Sequence, residues 1–241
     1  HLSLRRQRQM CIRDRSCILS TLTAALELEP GLELNRVAQC RDLGTMVTCD
    51  FKPRLQCHAA AKKANGAWHH VRRSVVSRRA NVIIPLYRSQ VRPHLEQFVR
   101  SWCPYLQQDK DALETIQRRA SKAVLGRRKL SYADRLTRLN LFSLERRRLR
   151  GDMIEMFKIF SGLSDLPVVE LFDPSTSRTR GHRFKLAKPR ARLRLRASSF
   201  SHRVVDHWNA LPDELFNVTT VEGFKLSLIH ISEPTRPRLL S

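Results

Sequence analysis

The chain has 241 residues, 41% of them hydrophobic, enough to bury at least one ordinary core and to exclude a disordered tail. Forty-five Lys and Arg against 22 Asp and Glu give a formal charge of +23, and a compact body with that excess repels itself until a polyanion neutralises it. No apolar stretch approaches the roughly 20 residues a membrane span needs, and six scattered cysteines (Cys11, Cys17, Cys40, Cys49, Cys57, Cys103) fit a reducing compartment better than a disulfide framework.

Residues 1–26 have the outline of a secretory signal, with Arg5, Arg6, Arg8, Arg13 and Arg15 ahead of an apolar stretch from Cys17 to Leu26. A different origin is expected for them. Met10-Cys11-Ile12-Arg13-Asp14-Arg15 can be encoded by ATG TGT ATA AGA GAC AG, whose reverse complement reads in another frame as Leu226-Ser227-Leu228-Ile229-His230-Ile231. An inverted repeat at both ends, followed by Ser232-Glu233-Pro234-Thr235-Arg236, resembles translated sequencing-library adapter. Residues 1–15 and 226–241 are therefore set aside, and residues 16–33 carry no clear period.

From Leu34 to Phe51, Leu34, Val37 and Cys40 lead into Leu43-Gly44-Thr45-Met46-Val47-Thr48-Cys49. Apolar and β-branched residues around a glycine predict a short strand or hairpin there. Pro53 suits the first turn of a helix on which Leu55, Ala59, Trp68, Val71 and Val75 fall to one side, with Lys62, Lys63, Arg72 and Arg73 elsewhere and Asn65-Gly66 weakening the middle. Tyr87, Val91, Leu95, Phe98 and Trp102 form the stripe of a second helix, kinked at Pro93 and broken at Pro104. Asp111 and Glu114 read as a capping box that opens a third helix with Leu113, Ile116, Ala120 and Val124 inward and Gly126 at its end. A fourth helix follows over 131–140. A fifth starts near Ser143, aligns Leu149, Met153, Met156 and Phe160, and stops at Gly162. These stripes need one another for burial, so the expected fold is mainly α, a compact helical bundle with short β-hairpin elements near residues 34–51 and 183–197.

Between Arg178 and Arg203 there are ten Lys and Arg and no Asp or Glu. Within it Arg190, Arg192, Arg194 and Arg196 alternate with Ala191, Leu193, Leu195 and Ala197, the period of a strand with one cationic face, and Lys185-Leu186 across Pro189 supply a hairpin partner. A last helix holds Phe200, Val204, Val205 and Trp208 and ends at Leu211-Pro212.

Each cationic group has a functional and a plain reading. The Arg190–Arg196 set either tracks phosphates or is a solvated edge strand protected from aggregation. Arg146, Arg147, Arg148 and Arg150 sit in the first turns of a helix, against the macrodipole, a placement that a polyanion contact offsets. Arg118, Arg119 and Lys122 form either an ordinary polar face or a duplex contact, and Arg178 and Arg180 open the acid-free run. Trp68, Trp102, Trp208 and Tyr87 lie on apolar stripes, which favours core packing over base stacking. Cys57-His58 and His69-His70 lack metal-ligand spacing, so neither a metal site nor a catalytic residue is assigned.

Seven segments in order resemble the C-terminal part of reverse transcriptases from jockey-like LINE elements, which are non-LTR retrotransposons. They are Arg41-Asp42-Leu43-Gly44, the stretch from Ile84 to Glu96, Trp102-Cys103-Pro104-Tyr105-Leu106, the stretch from Leu113 to Ala120, the stretch from Leu144 to Asp152, Thr179-Arg180-Gly181-His182, and Trp208-Asn209-Ala210-Leu211-Pro212. The resemblance runs from about Leu34 to Lys225. It implies the end of a palm within 16–51, of which 16–33 stay unassigned, a helical thumb over 52–165 and a basic C-terminal extension over 166–225. RNA, DNA or their hybrid would be held through phosphates inside the cell, in nucleus and cytoplasm, with no membrane and no small-molecule substrate. No Asp-Asp pair occurs anywhere, so the paired carboxylates of that family's polymerase centre are missing. This stretch is then no enzyme by itself and needs no cofactor, the magnesium belonging to a palm in the parent RNA-directed DNA polymerase. A free-standing basic structural RNA- or DNA-binding protein and a non-functional element relic are the alternative readings.

Overall fold

A computed structural model describes residues 37–42, 44–126, 130–164, 168–175 and 182–232. The fold is mainly helical with two short antiparallel hairpins, and the chain divides between Arg148 and Leu149 into two compact units.

In the N-terminal unit the first hairpin pairs β1 (Gln39–Asp42) with β2 (Thr45–Thr48), in the register Gln39↔Thr48 to Asp42↔Thr45. Gly44, at φ +85°, makes the turn that a side chain would strain. The Met46 N–H donates to Gln56 Oε1 at 2.8 Å and fastens the hairpin to α1 (Arg54–Ser74). Pro53 is the N-cap of α1, and its carbonyl accepts from the Cys57 N–H at 2.8 Å. The helix runs unbroken through Asn65-Gly66 and buries Gln56, Cys57, Ala60, Ala64, Trp68 and Val71. Leu55, expected inside, is 44% exposed. An alanine-rich first half carries little phase information, so the bulky Trp68 and Val71 set which face turns inward.

The second stripe is built from four pieces. They are α2 (Ala80–Leu86), a π-helical turn (Tyr87–Val91), α3 (Arg92–Glu96) and α4 (Val99–Trp102). Pro93 lacks an N–H and its ring crowds the carbonyl four residues back; the turn widens just before it, with the Arg92 N–H reaching five residues back to the Tyr87 carbonyl. A first break comes at Phe98, in the left-handed region at φ 53°, and a second at Pro104 as expected, where the chain leaves the helix after Trp102. The third helix, α5 (Gln107–Leu125), begins four residues ahead of Asp111, so Asp111 and Glu114 are not a capping box. Gly126, at φ +70°, ends it as expected. The capping box is one helix later, where Ser131 and Asp134 open α6 (Tyr132–Arg138).

Glu114 is buried in a polar network instead. It accepts from the Leu144 N–H at 3.0 Å and from the Tyr132 hydroxyl, while Gln117 accepts from the Tyr87 hydroxyl at 2.8 Å and donates to the Phe142 carbonyl at 2.9 Å. Every member has a partner, which fixes the start of α7 (Leu144–Phe160) against α5. Burial, followed by the Tyr132 and Glu114 charges, pushes the Tyr87 phenol far above its usual range.

The C-terminal unit holds α7 from Leu149 on, then α8 (Val168–Leu171), β3 (Asp173–Pro174), β4 (Leu186–Ala187) and α9 (Arg194–Ala197). It continues with α10 (Phe200–Asn209), a 3-10 turn (Asp213–Asn217) and α11 (Val221–Ser232). Its core collects Met153, Met156, Phe172, Val204, Trp208 and Phe224, with Phe157 stacked on Phe224 at 4.3 Å and Phe160 on Trp208 at 5.0 Å. Helix α11 continues past residue 225 and buries Leu228 in the same core.

Residues 190–196 are not the expected strand. The second hairpin does lie in the 183–197 region, but β4 pairs with Asp173–Pro174, and the Arg segment ends in the single turn of α9. Both edges of β4 are already used. Pro174 faces Leu186 on one side, and on the other the Asn209 carboxamide accepts the Leu186 N–H at 2.9 Å and donates to its carbonyl at 2.8 Å. No edge is left for Arg190–Arg196 to pair with, and Leu193 is 69% exposed.

Candidate nucleic-acid interface

Between Asp50 and Glu96 the sequence contains no acidic residue, and α1 occupies nearly half of that stretch. Arg54, His58, Lys62, Asn65, His69 and Arg72 follow one another at three- and four-residue steps, so they share the face opposite the buried one, with Arg73 beside them. All but the half-buried Asn65 are exposed. Among the described residues none of Arg54, Lys62, Arg72 or Arg73 has an ion-pair partner. At about 1.5 Å per residue this ridge is about 27 Å long. By periodicity alone Lys62, Lys63, Arg72 and Arg73 are only residues lying elsewhere on the helix. The acid-free run from 51 to 95 and the i, i+4 recurrence of cations and histidines were the signals that mark the ridge.

Helix α5 adds to that face. Arg119 is exposed and its Nη1 donates to Asn65 Oδ1 at 3.1 Å, which places it against the middle of the ridge. Lys122 is exposed one turn from Arg118. Arg118 is partly neutralised by Asp111 at 3.5 Å and lies over the Tyr132 ring at 5.2 Å.

The arginines at the start of α7 turn inward. Arg146 is half-buried over the Phe142 ring at 5.0 Å, Arg147 bonds Glu96 with Nη2 3.1 Å from Oε2, and Arg148 is 5% exposed. Of these arginines, expected to face a polyanion, Arg147 is held by Glu96, 51 residues away in sequence, Arg146 lies over Phe142, four residues earlier, and Arg148 is buried. Arg178 and Arg180 lie outside the described residues. Arg190, Arg192 and Arg194 are exposed and Arg196 is half-buried, on an irregular segment and one helical turn rather than along a ladder.

Trp68, Trp102, Trp208 and Tyr87 are at most 2% exposed and belong to the two cores. Cys57 is buried, while His58, His69 and His70 are exposed. Among the described residues no group of three or more His, Cys, Asp or Glu is placed to hold a metal ion. The Asp50 carboxylate accepts from Thr48 Oγ1 at 2.6 Å and pairs with Lys52 at 2.9 Å, which together hold it far below the usual carboxylate range. These residues do not fit a polymerase magnesium site. No described helix is long and apolar enough to cross a membrane. No family model, curated protein or solved structure matches the chain.

Proposed function

We propose that this chain holds RNA, DNA or their hybrid through phosphate contacts, as the thumb and C-terminal part of a non-LTR retrotransposon RNA-directed DNA polymerase whose chemistry belongs to a separate palm. The observation that carries the reading is the exposed cationic ridge of α1 in a stretch with no acidic residue. Arg54, Lys62 and Arg72, about 12 and 15 Å apart along about 27 Å, suit an extended polymer of charges better than a single acidic patch on a folded partner. Arg119 and Lys122 widen the surface, and the exposed arginines of 190–194 supply a second one. Contacts of this kind position a strand without reading its sequence. The seven segments in order support the retrotransposon origin.

The test is a salt series of binding to an RNA–DNA hybrid of about 20 base pairs, read by fluorescence anisotropy. Each neutralised phosphate contributes about 0.9 to the slope of log affinity against log salt, so Arg54→Ala, Lys62→Ala, Arg72→Ala and Arg73→Ala combined should flatten it by about 3 to 4. Alanine favours the helix at all four exposed sites, so the fold is retained, as circular dichroism will verify. An unchanged slope and affinity in the folded variant overturns the reading.

A further inference from the structure

A small groove opens in the N-terminal unit between the β1–β2 hairpin, α1 and the end of α3. Arg41 enters it from β1, Lys63 from the flank of α1, His94 from α3, and Gln97 and Phe98 from the break that follows. No acidic residue lines it, and among the described residues neither Arg41 nor Lys63 has an ion-pair partner. Two exposed cations and an imidazole that line one space raise its positive potential and favour an anion between them.

Size and shape narrow the anion. The groove holds about 20 Å³, far too little for a buried metabolite. An occupant must therefore rest a compact charged head at the mouth, among the cationic tips, and leave its body outside. Phe98 supplies a surface for that body. It is 52% exposed, and its backbone sits in the left-handed region that side chains other than glycine disfavour. The conformation belongs to the helix break, where the Phe98 carbonyl accepts from the Ser101 N–H at 3.0 Å and from Ser101 Oγ at 2.8 Å, and it leaves an exposed aromatic ring at the rim of a cationic groove.

We infer that this groove receives a phosphate monoester attached to a flat ring, with the phosphate between Arg41, Lys63 and His94 and the ring against Phe98. A monoester carries nearly two charges at neutral pH, where an internal strand phosphate carries one and is tethered on both sides. A terminal base also has one face unstacked and free to meet an aromatic ring. The occupant is thus the phosphorylated end of a strand. The strand-end assignment rests on the nucleic-acid reading above, whereas the groove's choice of a phosphate monoester does not.

The experiment uses the full chain and one stem-loop oligonucleotide in three forms, with a 5′-phosphate, with a 3′-phosphate and with hydroxyls at both ends. One phosphorylated form should bind about tenfold more tightly than the hydroxyl form. That ratio should collapse in Arg41→Ala and in Phe98→Ala, two exposed sites, and persist in the Arg54→Ala, Lys62→Ala ridge variant even as every affinity falls. AMP followed by NMR shifts provides the second arm. AMP binding that is lost in Arg41→Ala makes a free nucleotide an occupant too, while a phosphate preference without AMP binding restricts the groove to strand ends. Equal binding of all three oligonucleotides with no AMP binding overturns the groove and leaves the ridge standing. Loss of all strand binding with AMP binding retained does the reverse.

Discussion

His182 shows at the scale of one residue how a family-like motif can be structural. Its Nε2–H donates to the Trp208 carbonyl at 2.9 Å, and its ring stacks on Phe216 at 4.1 Å. Nδ1 is buried with no hydrogen-bond partner. Protonation would put a charge on that bare nitrogen, and burial accordingly holds the His182 pKa below its ordinary value. The unfolded chain then binds the proton more readily than the folded one. This contribution to stability is complete above about pH 6.5 and is lost progressively as pH falls from there toward the lower folded value. His182→Phe should cost about 1 kcal/mol at pH 8 through the lost Trp208 bond and remove the acid-side slope. Hydrogen exchange in urea across Phe200–Asn209, corrected for intrinsic rates at each pH, reads both effects; an undiminished slope in the variant rules out His182 as its source. Trp208 and Asn209 complete the clasp, since Trp208 Nε1 donates to the Phe184 carbonyl at 2.8 Å and Asn209 holds Leu186. These residues stand in two of the seven segments quoted for the resemblance. Their work as a backbone fastener was not legible, because it depends on which strand edge stays open.

At the scale of elements, legibility followed the strength of the period. Helices with bulky residues at regular steps, such as α7 and α10, end where the sequence places their stops, at Gly162 (φ +67°) and before Leu211. The second face of the Arg190–Arg196 alternation carries two alanines, an exposed Leu193 and a half-buried Leu195, too little apolar surface for the fold to need it as a strand. The start of α5 was misread because Asp111 and Glu114 fit the pattern of a cap, while Glu114 is in fact held by Tyr132 and Leu144. In the C-terminal unit α7 and α10 are joined by Asp152 and Arg203, whose two bonds measure 2.9 and 3.0 Å and whose side chains are 5% and 17% exposed. Removing one partner of such a pair strands the other charge, so Asp152→Ala should destabilise the unit by about 3 kcal/mol. Arg203→Met in the same chain should recover more than half of that in a urea titration, because an apolar pair has no charge to desolvate. If the double variant is as unstable as the single one, packing around Asp152 and not its charge is what matters.

At the scale of the molecule, the +23 charge was plain from composition, and its placement was not. Sequence order made Arg146, Arg147 and Arg148 look like a cluster, yet Glu96 and Phe142 claim two of them and burial the third. The ridge of α1 was hidden for the opposite reason: its cations are separated by alanines and histidines and come together only once the helix is wound. At about 3.4 Å per base pair along one strand, a duplex of about 8 base pairs covers the 27 Å ridge. Shortening a hairpin stem from about 8 base pairs to about 5 should then weaken binding beyond the statistical loss of binding registers, because fewer of the ridge's cations meet a phosphate. In Arg54→Ala, Lys62→Ala, Arg72→Ala that extra loss should vanish. If it persists in the variant, the ridge of α1 is solvated surface and the strand is held elsewhere on the chain.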